Sequence, residues 1–99
     1  MTLHDLQELI RTTFGAKDQR RGVEGTFMWF MEEVGELSAV LRGGSKAEQV
    51  AEFADVLAWL ATLANTVGVD LDEAVRAKYG GGCPECGKMP CACGAATKP

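Results

Sequence analysis

Two short acidic strings stand out in the sequence: Glu32-Glu33-Val34-Gly35-Glu36 and, downstream, Glu52-Phe53-Ala54-Asp55. Both lie in segments whose apolar residues follow a helical period. Glu33 and Glu36 are three residues apart, so they leave one face of one helix. Glu52 and Asp55 repeat that geometry on a second. Four carboxylates facing one another across two antiparallel helices repel. Like charges at this spacing cost on the order of a few tenths of a kcal/mol on an exposed helix, and more when partly buried. A hard divalent cation relieves the repulsion. Mg²⁺ takes oxygen ligands and keeps waters that phosphate oxygens can displace. The spacing therefore points to a phosphate-handling Mg²⁺ site formed by Glu33, Glu36, Glu52 and Asp55. Glu32 lies about 100° round the helix from Glu33. A purely solvated acidic face would interleave lysines. Here the positions four beyond Glu32, Glu33 and Glu36 are Glu36, Leu37 and Val40, so no cation on the same helix screens the cluster.

The second group with evident chemistry is the run Cys83-Pro84-Glu85-Cys86-Gly87-Lys88-Met89-Pro90-Cys91-Ala92-Cys93, which holds all four cysteines. Cys-Pro-x-Cys-Gly turns two thiolates toward one ion, and Gly87 permits close backbone approach. Cys91 and Cys93 complete a Cys₄ set, and one structural Zn²⁺ is the expectation. An iron–sulfur cluster or redox disulfides are the alternatives. Such tight clustering suits a metal better than a disulfide framework spread through a fold. His4 is the only histidine. That disfavours a di-iron bundle built on Glu-x-x-His motifs, and His4 reads as an exposed first-turn residue. No Ser/His/Asp arrangement, phosphate-binding glycine loop or dinucleotide fingerprint is present.

The elements that must position these groups are helices. Leu3, Leu6, Leu9, Ile10 and Phe14 mark a first helix from about Thr2 to Phe14, with Gln7 off the stripe and Gly15 as its end. Ala16 to Gly25, with three basic residues and two glycines, reads as a loop. Its Lys17, Arg20 and Arg21 either reach the phosphates of a substrate or are solvated connector. A second helix runs from about Thr26 to Arg42. Trp29 stands one turn before Glu33, as core packing or as the wall of a pocket that stacks a base. After Gly43-Gly44, Ser45 and Glu48 form a capping box for a third helix to about Val67; that role places Glu48 outside the metal shell. This helix is apolar nearly all round, which implies a second subunit against it. Asp70 caps a short fourth helix ending near Tyr79. Gly80-Gly81-Gly82 is a linker. The expected organisation is an all-α, four-helix, oligomeric domain at 1–79 and a metal-binding tail at 80–99.

With 46% hydrophobic residues the 99-residue chain can pack one small core, and its net charge of −4 disfavours a nucleic-acid binder. The start lacks a basic, apolar leader. The apolar stretch Val56 to Val69 is too short to span a bilayer and carries Thr62, Asn65 and Thr66. A soluble cytoplasmic protein with no membrane partner is expected.

Glu-Glu-x-x-Glu followed by Glu-x-x-Asp on a later helix resembles the MazG-like nucleotide pyrophosphohydrolases of the all-α NTP pyrophosphatase superfamily. The resemblance covers about Leu3 to Tyr79, including Asp18-Gln19-Arg20-Arg21-Gly22, Gly25-Thr26-Phe27-Met28-Trp29-Phe30, and Val69-Asp70-Leu71 leading to Lys78. It implies hydrolysis of a nucleoside triphosphate between the α and β phosphates, with Glu33, Glu36, Glu52 and Asp55 on Mg²⁺, Lys78 on phosphate, and Glu32 orienting or deprotonating the attacking water or supporting a ligand from outside. The family often has asparagine one turn beyond that lysine; here the position is Gly82. A house-cleaning activity on the nucleotide pool, in a homodimer or homotetramer, is the leading reading. Phosphoribosyl-ATP pyrophosphohydrolysis is the rival substrate. A non-catalytic helical binding module with a zinc tail, or a purely structural helical oligomer, is the rival class.

Overall fold

The computed structural model describes residues 1–95. Those residues form three helices and no strand: α1 (Leu3–Gly43), α2 (Lys46–Val67) and α3 (Leu71–Tyr79). Three is one fewer than the sequence pattern suggests, because α1 takes in both of the first two expected helices. The segment read as a loop at 16–25 is helical apart from one residue. Gly15 does not end the helix, since helical backbone continues through it. The break is Gly22, with φ 78° and ψ 177°. That region of backbone space is open essentially to glycine alone. Within α1 only this residue needs it, and the result is one bend joining two helical arms, 3–21 and 23–43.

Each helix starts on a side-chain cap. Thr2 and Asp5 exchange hydrogen bonds at the head of α1, and Ser45 and Glu48 do the same for α2. Asp70 accepts from the Glu73 N–H at the head of α3. Gly68, at φ 78°, closes α2 in the left-handed conformation.

Both arms of α1 pack on α2, with Ile10, Ala61 and Ala64 buried between them. Polar side chains lock the ends together. Gln7 is only 3% exposed, although its period put it off the apolar stripe. Its Nε2 donates to Asn65 Oδ1 and the Val69 carbonyl, and its Oε1 accepts from the Leu71 N–H. Asn65 returns a bond to the Gln7 carbonyl. One glutamine thus ties α1, the end of α2 and the start of α3. His4 does sit exposed in the first turn, and its Nδ1 lies 3.0 Å from Asp70.

Much apolar surface stays outside this core. Val50, Phe53, Leu57 and Leu60 form one stripe along α2 and are 39–63% exposed. On α1, Phe27, Met28 and Met31 are 48–73% exposed. By length and composition α2 could also cross a membrane. Here it carries Glu52 and Asp55 and packs its small residues on α1.

Candidate active site and metal centres

Residues three apart on the second arm of α1 and on α2 bring the acidic groups together. Oxygen atoms of Glu33, Glu36 and Glu52 all lie within 4.8 Å of one another. Glu33 and Glu52 are half-buried, while Glu36 is exposed. Glu33 Oε2 and Glu52 Oε2 are buried with no hydrogen-bond partner. Buried polar atoms are normally satisfied, because an unpaired one costs roughly 1–3 kcal/mol, and more if charged. Burial, then the charges of Glu36, Asp55 and Glu52, push Glu33 up to about 7. Burial and the charges of Glu36 and Asp55 also raise Glu52. The cluster is strained as it stands.

Asp55 acts on both glutamates electrostatically, yet it sits at the edge of the triad. It lines a cavity of about 250 Å³ together with Ile10, Phe14, Lys17, Asp18, Arg21, Ala58, Trp59 and Thr62. Of Glu33, Glu36, Glu52 and Asp55, only Asp55 lines this cavity, between α2 and the first arm of α1. The Gly22 bend positions that arm, so the single non-helical residue sets the approach of Lys17 and Arg21 to Asp55.

The basic residues separate. Lys17 lines the cavity. Arg21 lines it too, but its guanidinium is engaged: it donates to Asp18 Oδ1 at 3.0 Å and to Thr26 Oγ1 at 3.4 Å, and lies 4.8 Å from the Trp59 ring centre. Gly25 leaves room for its stem, since a Cβ there would stand 2.9 Å from Arg21 Cγ. Arg20 is exposed and is not among the cavity residues. Lys78 is exposed on α3, 5.5 Å from the Tyr79 ring centre, also away from the cavity. Trp29 stacks on Trp59 at 6.2 Å, and it is Trp59 that lines the cavity. Glu32 is exposed beside the triad.

Sequence reasoning did not single out Asp18 and Thr26, which are 5% and 0% exposed. They fix Arg21 over Trp59. The signal available was Asp18 three residues before Arg21, the spacing of an intrahelical ion pair, and the loop reading of 16–25 concealed it.

The MazG nucleotide pyrophosphohydrolase domain matches residues 21–86, which hold both acidic strings and the three-carboxylate cluster. This chain belongs to that family. A dATP/dGTP diphosphohydrolase from Cyanophage S-2L is similar to this MazG chain, 38% identical over 77 residues, or 78% of this chain and 70% of the phage protein. The MazG chain is thus an enzyme, a nucleotide pyrophosphohydrolase.

Enzymes of this kind typically depend on a metal, and the residues present fit a hard cation. The donors are all oxygen, three from the cluster and a fourth carboxylate adjacent. Two of those oxygens lack any other partner. A divalent ion would satisfy both and offset the burial and the repulsion that together raise Glu33.

The four cysteines form a second cluster, in which Cys83, Cys86, Cys91 and Cys93 bring their sulfur atoms within 4.8 Å of one another. All four are free thiols.

Proposed function

We propose that this MazG chain hydrolyses (deoxy)nucleoside triphosphates to the nucleoside monophosphate and pyrophosphate in a Mg²⁺-dependent reaction that clears the cytoplasmic nucleotide pool. The observation that carries this reading is the carboxylate triad with two unpartnered buried oxygens, joined to a cavity by the neighbouring Asp55. The phage relative's name puts dATP and dGTP first among the substrates to test.

Glu33, Glu36, Glu52 and Asp55 would hold Mg²⁺. When bound, the ion supplies charge neutralisation of the triphosphate and activation of a water. The chain's own residues do the rest. Water adds to the α-phosphorus, the bond from that phosphorus to the bridging oxygen breaks, and pyrophosphate leaves. Phosphoryl transfer of this kind needs mainly positioning and charge stabilisation. Glu32, exposed next to the ligands, accepts the water's proton on its carboxylate. Lys17 projects its ammonium from the cavity wall and meets the phosphates. Arg21 works differently, because its bonds to Asp18 and Thr26 hold the guanidinium against Trp59 and so stiffen the pocket floor. Trp59 then offers an apolar surface to the base. Lys78 and Arg20 would need movement or a neighbouring subunit to reach phosphate.

A homodimer or homotetramer belongs to the proposal. Val50, Phe53, Leu57 and Leu60 make an apolar stripe on α2 that nothing among the described residues covers, and such a stripe on a small protein marks an interaction surface.

Pyrophosphate release from the standard nucleoside triphosphates and their deoxy forms, measured with and without Mg²⁺, tests the reading. Release that requires Mg²⁺ is expected for at least one of them. No release from any, with the helical circular dichroism intact, overturns it in favour of a binding module.

A further inference from the structure

The cysteine cluster lies partly beyond the family match: that match ends at residue 86, so Cys91 and Cys93 fall outside it. Hydrolysis at the carboxylates makes no use of the cluster. Its geometry is nonetheless specific. Cys83 Sγ and Cys93 Sγ are 3.8 Å apart. Four thiolates each about 2.3 Å from one tetrahedral ion stand about 3.8 Å apart along every edge. A disulfide needs about 2.05 Å. An iron–sulfur cluster interposes its own iron and sulfide ions and spreads its thiolates farther apart.

The backbone is arranged for sulfur anions as well. The Ala92 N–H points at Cys86 Sγ and the Cys93 N–H at Cys91 Sγ, both at 3.3 Å. N–H donors aimed at sulfur stabilise thiolate over thiol. The loop is closed by two main-chain bonds, from the Gly87 N–H to the Cys83 carbonyl and from the Cys83 N–H to the Lys88 carbonyl. Gly87, at φ 71°, makes the turn, and Gly82, at φ 102°, lets the Lys88 carbonyl come close. Cys83 is only 8% exposed. So four sulfurs, from residues close in sequence, converge with no cationic partner among the described residues.

We infer that Cys83, Cys86, Cys91 and Cys93 bind one Zn²⁺ as a closed, tetrahedral structural site that staples the segment after α3 into a folded lobe. Four S–H protons pass to water as four Zn–S bonds form, leaving a centre of charge −2 that the two N–H donors partly offset. Soft thiolates select zinc over magnesium, and zinc outranks ferrous iron in affinity for such a site. With every position filled by protein, the ion has no place for a substrate. Its contribution is folding free energy, because a metal that ties a short loop stabilises only the folded lobe. The inference stands apart from nucleotide hydrolysis.

The full chain, purified without added metal, tests it. Elemental analysis is expected to find about one zinc per chain, and Co²⁺ exchange is expected to give the visible absorption of a tetrahedral thiolate complex. Cys91→Ser combined with Cys93→Ser should lose the zinc and keep the helical circular dichroism. Proteolysis should then cut within residues 80–95 far faster than in the zinc-loaded protein. Glu36→Gln should keep its zinc, which separates this result from any failure of the hydrolytic reading. Iron in place of zinc, or a metal-free protein with oxidised cysteines by mass spectrometry, overturns the site. A zinc-loaded protein whose tail is cut no more slowly than the zinc-free one overturns the staple.

Discussion

The two clusters of potential ligands solve opposite problems. The carboxylates come from long helices, where the three-residue spacing of Glu33 with Glu36, and the facing Glu52, impose the geometry. Their oxygens repel, two are buried without partners, and Asp55 stands aside in the lining of a cavity. The thiols come from one short irregular loop, and two of their sulfurs already receive backbone N–H groups. One cluster is hard, half-buried and short of partners. The other is soft and internally supported. With the metals proposed for them, one small chain would separate chemistry from fastening: an oxygen site that exchanges its outer ligands with solvent and substrate, and a sulfur site with nothing left to exchange.

Breaking one site should leave the other standing. The largest effect is expected at the triad. Glu52→Gln keeps the shape and removes the charge, so it should lower pyrophosphate release about a hundredfold or more, by analogy with the loss of a group that stabilises transition-state charge. Zinc content should not change. Retained activity would show that the Glu52 charge takes no part in hydrolysis. Next comes the bend on which the cavity depends. Gly22→Ala forces a side chain into φ 78°, ψ 177°. It should cost roughly 1–3 kcal/mol in urea unfolding, and it should weaken hydrolysis by moving Lys17 relative to Asp55. Unchanged stability would mean that the two arms can realign freely.

Smaller effects come from protons. Glu33 is raised from 4.5 to about 7. Its folded form holds the proton more tightly than its unfolded form. The resulting stability is fully present below about 4.5 and is lost as pH rises through 7. Metal-free protein should therefore show a falling Tm over that window, and Mg²⁺ should suppress the fall. A flat profile without metal would contradict the crowding of these carboxylates. The thiol site sharpens the contrast, because Mg²⁺ should not alter its zinc content. The smallest effect belongs to His4, raised by its hydrogen bond to Asp70. Its contribution is present at low pH and is lost as pH rises through its raised pKa. His4→Gln should lower Tm slightly at low pH and not at high pH, with or without Mg²⁺.

The acidic strings were legible because a helix converts spacing directly into a shared face. Ser45 with Glu48 was legible for the same reason, since capping is settled within four residues. Composition misled at 16–25. Its charges and glycines resemble a loop, yet Gly25, like Gly15 just before the segment, sits in helical backbone, and Gly22 alone breaks it. Gln7 is buried because of partners the local pattern does not contain, Asn65, Val69 and Leu71; Asp18 has its partner Arg21 three residues on, but the Trp59 ring over which that arginine is held comes from α2. Period assigns a residue to a face; it does not reveal what a distant segment brings to that face. The pairing of Trp29 with Trp59 is of that kind as well.

Nucleotide chemistry at the triad is the central claim. The most direct measurement is pyrophosphate release from dATP or dGTP by the wild-type chain and by Glu36→Gln, titrated with Mg²⁺, with helicity checked on the same samples. The expected result is a wild-type rate that rises from zero with Mg²⁺ and no measurable rate for the folded variant at any concentration. A folded Glu36→Gln protein that turns over as fast as the wild type would contradict it.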